Sequence, residues 1–289
     1  MDYQTIESVI DDHVQLITLN RPERYNTFSL EMAGEIMDAL DHADVNEEVR
    51  AVVITGRGRI FCAGAELNDG KESFRFRRLS EGMDESTFRD PGGVLALRLF
   101  ECRKPVIGAI NGPAMGVGAT FPLAMDVRIA SEQAKFGFVF TRRGIVMESC
   151  SSWFLPRIVG ISRALEWCMS GRTVLSEEAV ESGLVRSVHP PEQVVGEALR
   201  IAREMTAHTS PVSVALTRQM LWRMMGASHP AAAHEIESKG IFCLGKSDDA
   251  REGAAAFFEK REPRFSSSLA EDMPSYYPWW NTSGEGEGE

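Results

Sequence analysis

Two glycine-bearing segments have the residue types that allow a protein backbone to bind a ligand. Residues 60–67 read Ile-Phe-Cys-Ala-Gly-Ala-Glu-Leu, and residues 111–120 read Asn-Gly-Pro-Ala-Met-Gly-Val-Gly-Ala-Thr. Small residues let a ligand approach main-chain N–H groups closely. A helix that begins within the second segment would add unpaired N–H donors and a partial positive charge. Taken alone, each segment is better explained by close packing of a helix against a strand.

The second segment also has the glycine spacing of short-chain dehydrogenases, at Gly112, Gly116 and Gly118. An enzyme of that kind would carry the motif near its N-terminus and a Tyr-x-x-x-Lys further along the chain. Here the motif begins beyond residue 110, and none of the four tyrosines has a lysine four positions later. The sequence therefore argues against a dehydrogenase.

The elements that must position these segments alternate between strand and helix. Four segments have strand signals, namely residues 14–20, 51–55, 106–110 and 127–130. The second of them is continuously apolar, which is typical of a strand buried on both faces. Ser29 is suited to cap a helix that continues to about residue 40, and residues 114–125 have helical potential. Alternation of this kind predicts an α/β fold with parallel strands and right-handed connections.

The last third of the chain is predicted to be mainly helical. Helical signals cover residues 176–183, 194–206, 212–225, 231–244 and 248–258. Such a block cannot all pack on one sheet, so we expect it to extend outward or to contact other subunits. Four aromatic residues within 276–280 suggest docking onto a groove, and the closing Gly-Glu repeat predicts disorder.

Residues 69–92 are irregular and mixed in charge. A loop of this length inside a domain is often a lid or a binding loop. A solvated surface helix or a disordered insert explains the same composition equally well.

Composition and charge exclude several classes of protein. With 289 residues, 43% of them hydrophobic and 25% charged, the chain is that of a globular protein. Lys and Arg total 31 and Asp and Glu total 42, and the resulting net charge of −11 disfavours a nucleic-acid partner. We expect no membrane partner, since no long apolar run occurs. Five scattered cysteines and the lack of a metal-binding motif suit a cytoplasmic protein without a metal site.

Together, the two glycine segments resemble the crotonase (enoyl-CoA hydratase/isomerase) superfamily, and the resemblance covers nearly the whole chain. Further landmarks lie at Leu-Asn-Arg-Pro 19–22, Phe136-Gly137, Arg143-Gly144-Ile145, Gly171-Arg172, residues 179–185 and residues 257–261. The resemblance implies a spiral of ββα units followed by a helical trimerisation region. It implies an acyl-CoA substrate, no cofactor apart from the coenzyme A of that substrate, and a homotrimer or hexamer.

The resemblance also implies the residues that perform the chemistry. The backbone N–H groups of Ala65 and Val117 would hold the thioester oxygen while the substrate becomes an enolate. Family hydratases have two catalytic glutamates, and this chain has Thr120 and Phe140 at those positions. Glu148 occupies the place of the lone glutamate of Δ3,Δ2-enoyl-CoA isomerases. From spacing alone, Glu148 would be an ordinary acid at the start of a helix.

Four aromatic residues near Glu148 are expected to make its surroundings apolar, namely Phe138, Phe140, Trp153 and Phe154. Such surroundings would raise the pKa of Glu148 and make it a better base.

Residues for coenzyme A binding follow from the same resemblance. Arg24 would lie next to the nucleotide, and Ala63 and Leu67 would flank the pantetheine. Phe257 and Lys260 would reach the adenine in a neighbouring subunit. For Arg24 and Lys260, a solvated surface charge is an equally good interpretation.

The predicted organisation has three parts. Residues 1–205 form the spiral core, residues 206–265 the helical oligomerisation region, and residues 266–289 an extended aromatic and then Gly/Glu tail. A single carboxylate favours double-bond isomerisation over hydration, which is the alternative within the class. A weakly catalytic acyl-CoA-binding protein is a third hypothesis, because both hydratase glutamates are replaced.

Overall fold

A six-stranded, mainly parallel sheet lies at the centre of the computed structural model, which describes residues 2–66 and 83–280. Its strands, in spatial order, are β1 (Ile6–Asp11), β2 (Val14–Leu19), β3 (Ala51–Gly56), β4 (Val106–Ile110), β6 (Val127–Ser131) and β9 (Val188–His189). The β1–β2 pair is an antiparallel hairpin, and every later pair is parallel. The predicted parallel pairing is confirmed, and the four predicted strands have their bounds within one residue.

A second, three-stranded sheet lies beside the glycine segments. It consists of β5 (Ala114–Met115), β7 (Lys135–Gly137) and β8 (Thr173–Leu175), with β5 parallel and β8 antiparallel to β7. The sequence did not predict this sheet, because strands of two or three residues are too short for a periodic signal.

The helices of the described residues are α1 (Leu30–Val45), α2 (Pro91–Glu101), α3 (Val117–Thr120), α4 (Ser151–Val159), α5 (Ile161–Ser170), α6 (Ser176–Glu181), α7 (Val194–Thr206), α8 (Pro211–Met224), α9 (Pro230–Leu244) and α10 (Asp248–Glu259). The predicted cap of α1 is confirmed, since Ser29 accepts a hydrogen bond from the Met32 N–H at 3.1 Å. The predicted bounds of α7 agree with the structure, and those of α8, α9 and α10 agree within one residue.

The central strand β3 is buried on both faces, as its apolar sequence predicts. Val52 and Ile54 belong to the main core, which lies on the side of α1 and α2. Val53 faces the opposite side and packs in a second core with Ile201 of α7. The sheet is therefore covered by helices on both faces, and this cover fixes the carboxyl ends of the parallel strands.

The predicted helix over residues 114–125 is wrong in extent. Its first two residues form β5, and only Val117–Thr120 are α-helical, followed by a 3-10 turn at Phe121–Ala124. Pairing of β5 with β7 removes the start of the segment from the helix. Pro122 lacks an N–H donor and interrupts the α-helical hydrogen bonds at the other end.

The irregular segment 69–92 is only partly described. Residues 67–82 lie outside the described part of the chain, so the interpretation as a lid or insert is not tested there. Its last two residues belong to α2, which begins at Pro91 and is capped by Asp90.

The aromatic tail docks onto its own chain, as the groove hypothesis predicted. Tyr277 and Trp279 pack against a small core that includes Val212, Leu216 and Leu269. The Gly-Glu repeat lies outside the described residues.

Large apolar side chains on the outer helices are exposed, namely Leu221, Ile241, Phe242, Phe257 and Phe258. Within residues 2–66 and 83–280, none of the helices is long and apolar enough to cross a membrane.

Candidate active site

Main-chain contacts join the two glycine segments. Cys62 and Ala114 form a parallel β-bridge, and the Met115 N–H donates a hydrogen bond to the Cys62 carbonyl at 3.0 Å. Gly116 precedes α3 with a φ of 53° and a ψ of −125°, a conformation that favours glycine. A Cβ added there would lie 3.9 Å from the Cα of Gly64. Ala65 follows Gly64 and Val117 follows Gly116, so the fold brings these two residues to the same region of the structure.

A cleft of about 900 Å³ opens at this place. Its walls are the starts of α1 and α2, the two glycine segments and residues 139–148. Most of the lining is apolar and includes Phe28, Leu30, Phe88, Met115, Val139, Phe140, Ile145, Val146 and Met147. Cavities of this size and lining are typical of small-molecule sites.

The backbone donors predicted at Ala65 and Val117 both border the cleft. Within the described part of the chain, neither N–H donates a hydrogen bond to another protein group. Val117 is the first residue of α3, where the N–H has no intrahelical acceptor. Both amides are therefore available to an oxygen atom in the cleft, although their role as oxyanion donors stays a prediction.

Glu148 borders the same cleft and is held by two hydroxyl groups. Thr120 donates to one carboxylate oxygen, Oε1, at 2.5 Å, and Ser149 donates to the other, Oε2. Ser149 and Cys150 both have left-handed backbone conformations, with φ of 56° and 53°. This turn separates Glu148 from α4, which begins only at Ser151. Glu148 is thus not a residue of a helix start.

The surroundings of Glu148 raise its pKa to about 7. Burial is the largest cause, because it penalises the charged carboxylate. The hydrogen bonds from Ser149 and Thr120 act in the opposite direction, and the charge and a hydrogen bond of Asp90 raise the pKa further. A carboxyl group of this kind exchanges a proton at neutral pH and is suited to act as a base and then as an acid.

Asp90 is a site residue that the sequence analysis missed. Its Oδ1 caps α2 by accepting a hydrogen bond from the Gly93 N–H at 2.6 Å, and it accepts a second one from the Ser149 N–H at 3.2 Å. The sequence did contain a signal for the start of α2, namely Asp90-Pro91, an N-cap residue followed by proline at the first helical position. It was obscured because Gly92-Gly93 follows at once.

The aromatic surroundings predicted for Glu148 are only partly correct. Phe140 lines the cleft. Phe138 is fully buried and stacks on Trp167, with ring centroids 6.0 Å apart. Trp153 and Phe154 belong to an aromatic cluster around Phe100. Of these four aromatic residues, Phe140 is therefore the one that borders the cleft of Glu148.

Of the residues predicted to bind coenzyme A, Ala63 lines the cleft and Leu67 lies outside the described residues. Arg24 is exposed and forms an ion pair with Glu66 at 2.5 Å, in which Arg21 also takes part at 2.9 Å. This ion pair fixes the segment next to Ala65.

The remaining two predicted coenzyme A contacts, Phe257 and Lys260, lie at the end of α10 and are not among the described residues that line the cleft. The Phe257 side chain is 78% exposed. This position is compatible with a contact to a neighbouring subunit, and both roles stay predictions.

The mainly parallel sheet and the cleft bordered by Ala65, Val117 and Glu148 agree with the crotonase resemblance of the sequence. Residues 10–268 match the family described as enoyl-CoA hydratase/isomerase. The chain therefore belongs to the enoyl-CoA hydratase/isomerase family and is an enzyme of the hydratase/isomerase kind.

Individual relatives agree with this family. The chain is 39% identical to enoyl-CoA hydratase ACTT3 of Alternaria alternata over 261 residues, which cover 90% of this chain and 85% of that protein. It is 34% identical to 1,2-epoxyphenylacetyl-CoA isomerase of Escherichia coli over 262 residues, covering 90% and 98% of the two chains.

Solved structures show the same fold. A probable enoyl-CoA hydratase/isomerase from Mycobacterium abscessus superimposes with a TM-score of 0.83 at 32% identity, covering 91% of this chain and 99% of that one. The predicted crotonase fold is thereby confirmed.

Proposed function

We propose that this enzyme moves a carbon–carbon double bond between the 3 and 2 positions of an enoyl-CoA thioester, with Glu148 as the single proton carrier. The observation that supports this proposal is the position of Glu148. Its carboxyl group borders the same cleft as the amides of Ala65 and Val117, which donate no hydrogen bond to any other described residue. Thr120 and Phe140 stand at the two positions where hydratases of the family have glutamates.

In the proposed reaction, the thioester oxygen of a 3-enoyl-CoA accepts hydrogen bonds from the Ala65 and Val117 N–H groups. Ionised Glu148 removes a proton from C2, and the electron pair delocalises over C1 to C4 and the thioester oxygen. The amides stabilise that oxygen as its negative charge develops, which is worth roughly 3–4 kcal/mol for each donor in a water-excluded site. Glu148 then returns the proton to C4, and the product is the conjugated 2-enoyl-CoA.

The raised pKa of Glu148, about 7, supports the dual role. A carboxylate of ordinary pKa would be too weak a base for the first step. A group with a pKa near neutrality takes and returns the proton with small changes in free energy.

Hydration of 2-enoyl-CoA is the second candidate, because relatives of this chain are named hydratases. In that reaction, Glu148 would activate a water molecule and Thr120 would help to orient the carboxylate. The difference lies in the substrate position that the carboxyl group faces, not in the oxyanion donors.

Purified protein incubated separately with 3-enoyl-CoA and 2-enoyl-CoA distinguishes the two reactions. Isomerisation changes the ultraviolet absorbance at constant mass, whereas hydration adds the mass of one water. We expect conversion of 3-enoyl-CoA that Glu148→Gln abolishes. Glu235→Gln, a change in an exposed ion pair with Lys239, serves as the matched control. Hydration without isomerisation would overturn the preferred reaction, and silence with both substrates would overturn both.

We further infer a homotrimer or hexamer that needs no separate cofactor and works in the cytoplasm. Oligomerisation would cover the exposed apolar side chains of α8 to α10, which include Leu221, Ile241 and Phe257. Sedimentation velocity tests the oligomer, and cell fractionation tests the compartment.

A further inference from the structure

Asp90 lies beside Glu148 in the cleft, and the proposed reaction assigns it no role. Its Oδ1 accepts hydrogen bonds from two backbone N–H groups, that of Gly93 in α2 and that of Ser149 in the turn after Glu148. Asp90 therefore connects the start of α2 with the segment that carries the proton carrier. Both carboxyl groups border the substrate cleft.

The carboxyl group of Glu148 is confined next to Asp90. Thr120 and Ser149 hold its two oxygens, as described above. On the remaining side, Gly92 leaves just enough room, because a Cβ added there would overlap both Glu148 Oε2 and Ser149 Oγ. Glu148 therefore has little freedom to turn away from Asp90.

We propose that Asp90 is a positioning residue of this active site, and that it acts through Glu148 by holding the turn after that residue and placing a negative charge beside its carboxyl group. This proposal rests on the proposed function, in which Glu148 carries the proton. Asp90 keeps Glu148 a stronger base than it would be beside a neutral group, and it holds the carboxyl group in place for proton return.

The backbone contacts of Asp90 place its carboxyl group beside Glu148. Oδ1 of Asp90 accepts a hydrogen bond from the N–H of Ser149, the residue that directly follows Glu148. Burial is the largest cause of the raised pKa of Glu148, and Asp90 raises it further. A nearby negative charge penalises the ionised form of a carboxyl group, so Asp90 favours the protonated form of Glu148.

Other titratable groups near the pair do not replace this role. The buried thiol of Cys62 has a pKa raised to about 12, and burial also raises the pKa of the Cys150 thiol, so both remain neutral. Within the described residues, the other charged side chains that line the cleft are Arg21, Glu31, Glu66 and Arg143. None of these appears among the causes of the raised pKa of Glu148, whereas Asp90 does.

The test is a pH titration of Glu148 in the protein without substrate. The titration is monitored by NMR of ¹³C-labelled glutamate carboxyl groups. Glu148→Gln assigns the signal, and Asp90→Asn removes the charge while its amide oxygen still accepts from Gly93 and Ser149. We expect the pKa of Glu148 to fall by about 1 unit in Asp90→Asn. The acid limb of the kcat/KM profile should move to lower pH by the same amount.

Asp84→Asn is the matched control. Asp84 lies in the same segment, is exposed, and accepts hydrogen bonds from Ser86 and Thr87 that asparagine can also accept. This variant should leave the Glu148 titration and the profile unchanged. A purely structural role of Asp90 would lower the melting temperature without moving either titration.

An unchanged Glu148 pKa in folded Asp90→Asn overturns the proposal. Where that variant does not fold, Asp90→Ser, which retains a good helix cap, is titrated in its place with the same criterion. The NMR measurement needs no turnover. A shifted titration in a protein that converts neither enoyl-CoA would therefore refute the proposed function and leave the carboxyl pair intact.

Discussion

Replacement of Glu148 by glutamine is expected to make the protein more stable at alkaline pH while it removes the activity. The folded protein holds this carboxyl group at a pKa of about 7, mainly through burial, against an ordinary value of 4.5. The folded-state pKa is raised, so the protonated form is the one that folding favours. Its stabilising contribution is present at low pH and is lost as the pH rises through about 7.

The magnitude follows from the ionised fractions. Between about pH 6 and about pH 8, the ionised fraction of a group with this pKa rises from roughly a tenth to roughly nine tenths in the folded protein. In the unfolded chain, the same group is ionised throughout this range. Between these two pH values, the unfolding free energy of the wild-type protein should therefore fall by about 1.4 kcal/mol. Glu148→Gln has no carboxyl group at this position and should not show this fall.

Urea denaturation of both proteins at the two pH values, at one fixed protein concentration, measures this difference. Glutamine preserves the shape of the side chain, so packing changes little. The same variant should lose roughly 10²- to 10⁴-fold in turnover, because it cannot accept the proton. A stability difference that stays constant between the two pH values, or that changes in the opposite direction, would refute the argument that burial makes Glu148 a strong base.

Two further substitutions test the surroundings of the site, and a third tests a buried ion pair of the fold. Gly92→Ala adds a methyl group that overlaps the Glu148 carboxyl group and should displace it. Steady-state kinetics should then show a kcat lower by roughly 10²-fold, whereas a wild-type kcat would contradict the confinement of Glu148. Thr120→Val removes the hydroxyl that stabilises ionised Glu148, so the acid limb of the kcat/KM profile should move to higher pH by roughly 1 unit. This shift is opposite to that expected for Asp90→Asn, and a movement to lower pH would contradict the role of the hydroxyl. Arg218→Met leaves the partly buried carboxylate of Asp126 without its ion pair at 2.8 Å and should cost about 3–5 kcal/mol in urea denaturation, whereas a loss below about 1 kcal/mol would show that the pair is dispensable.

Much of the fold could be predicted because its main elements have strong local patterns. β4 is a continuous apolar run, and α7 repeats its apolar residues at helical spacing, so both were predicted with the observed bounds. β5 could not be predicted in this way, since its strand conformation depends on pairing with β7. The wrong extent of the helix over residues 114–125 has the same cause, a contact with a segment distant in sequence.

The candidate site was predicted through the ordered motifs rather than through local propensity. No propensity predicts the left-handed pair Ser149 and Cys150, which separates Glu148 from α4. Asp90 was missed because its importance arises only when α2 packs against that turn. Gly92 likewise looks unfavourable within a helix, and its reason is the close approach of Glu148.

The bridge between the two glycine segments is made by atoms that every amino acid possesses. The β-bridge of Cys62 with Ala114, and the Met115 N–H bond, would persist through exchange of many neighbouring side chains. Related proteins that keep these main-chain contacts can therefore gain, lose or relocate acidic residues around them. Under the proposed function, this chain would be such a case, because the two turns would still hold the thioester oxygen while Glu148 would carry the proton in place of the two hydratase glutamates.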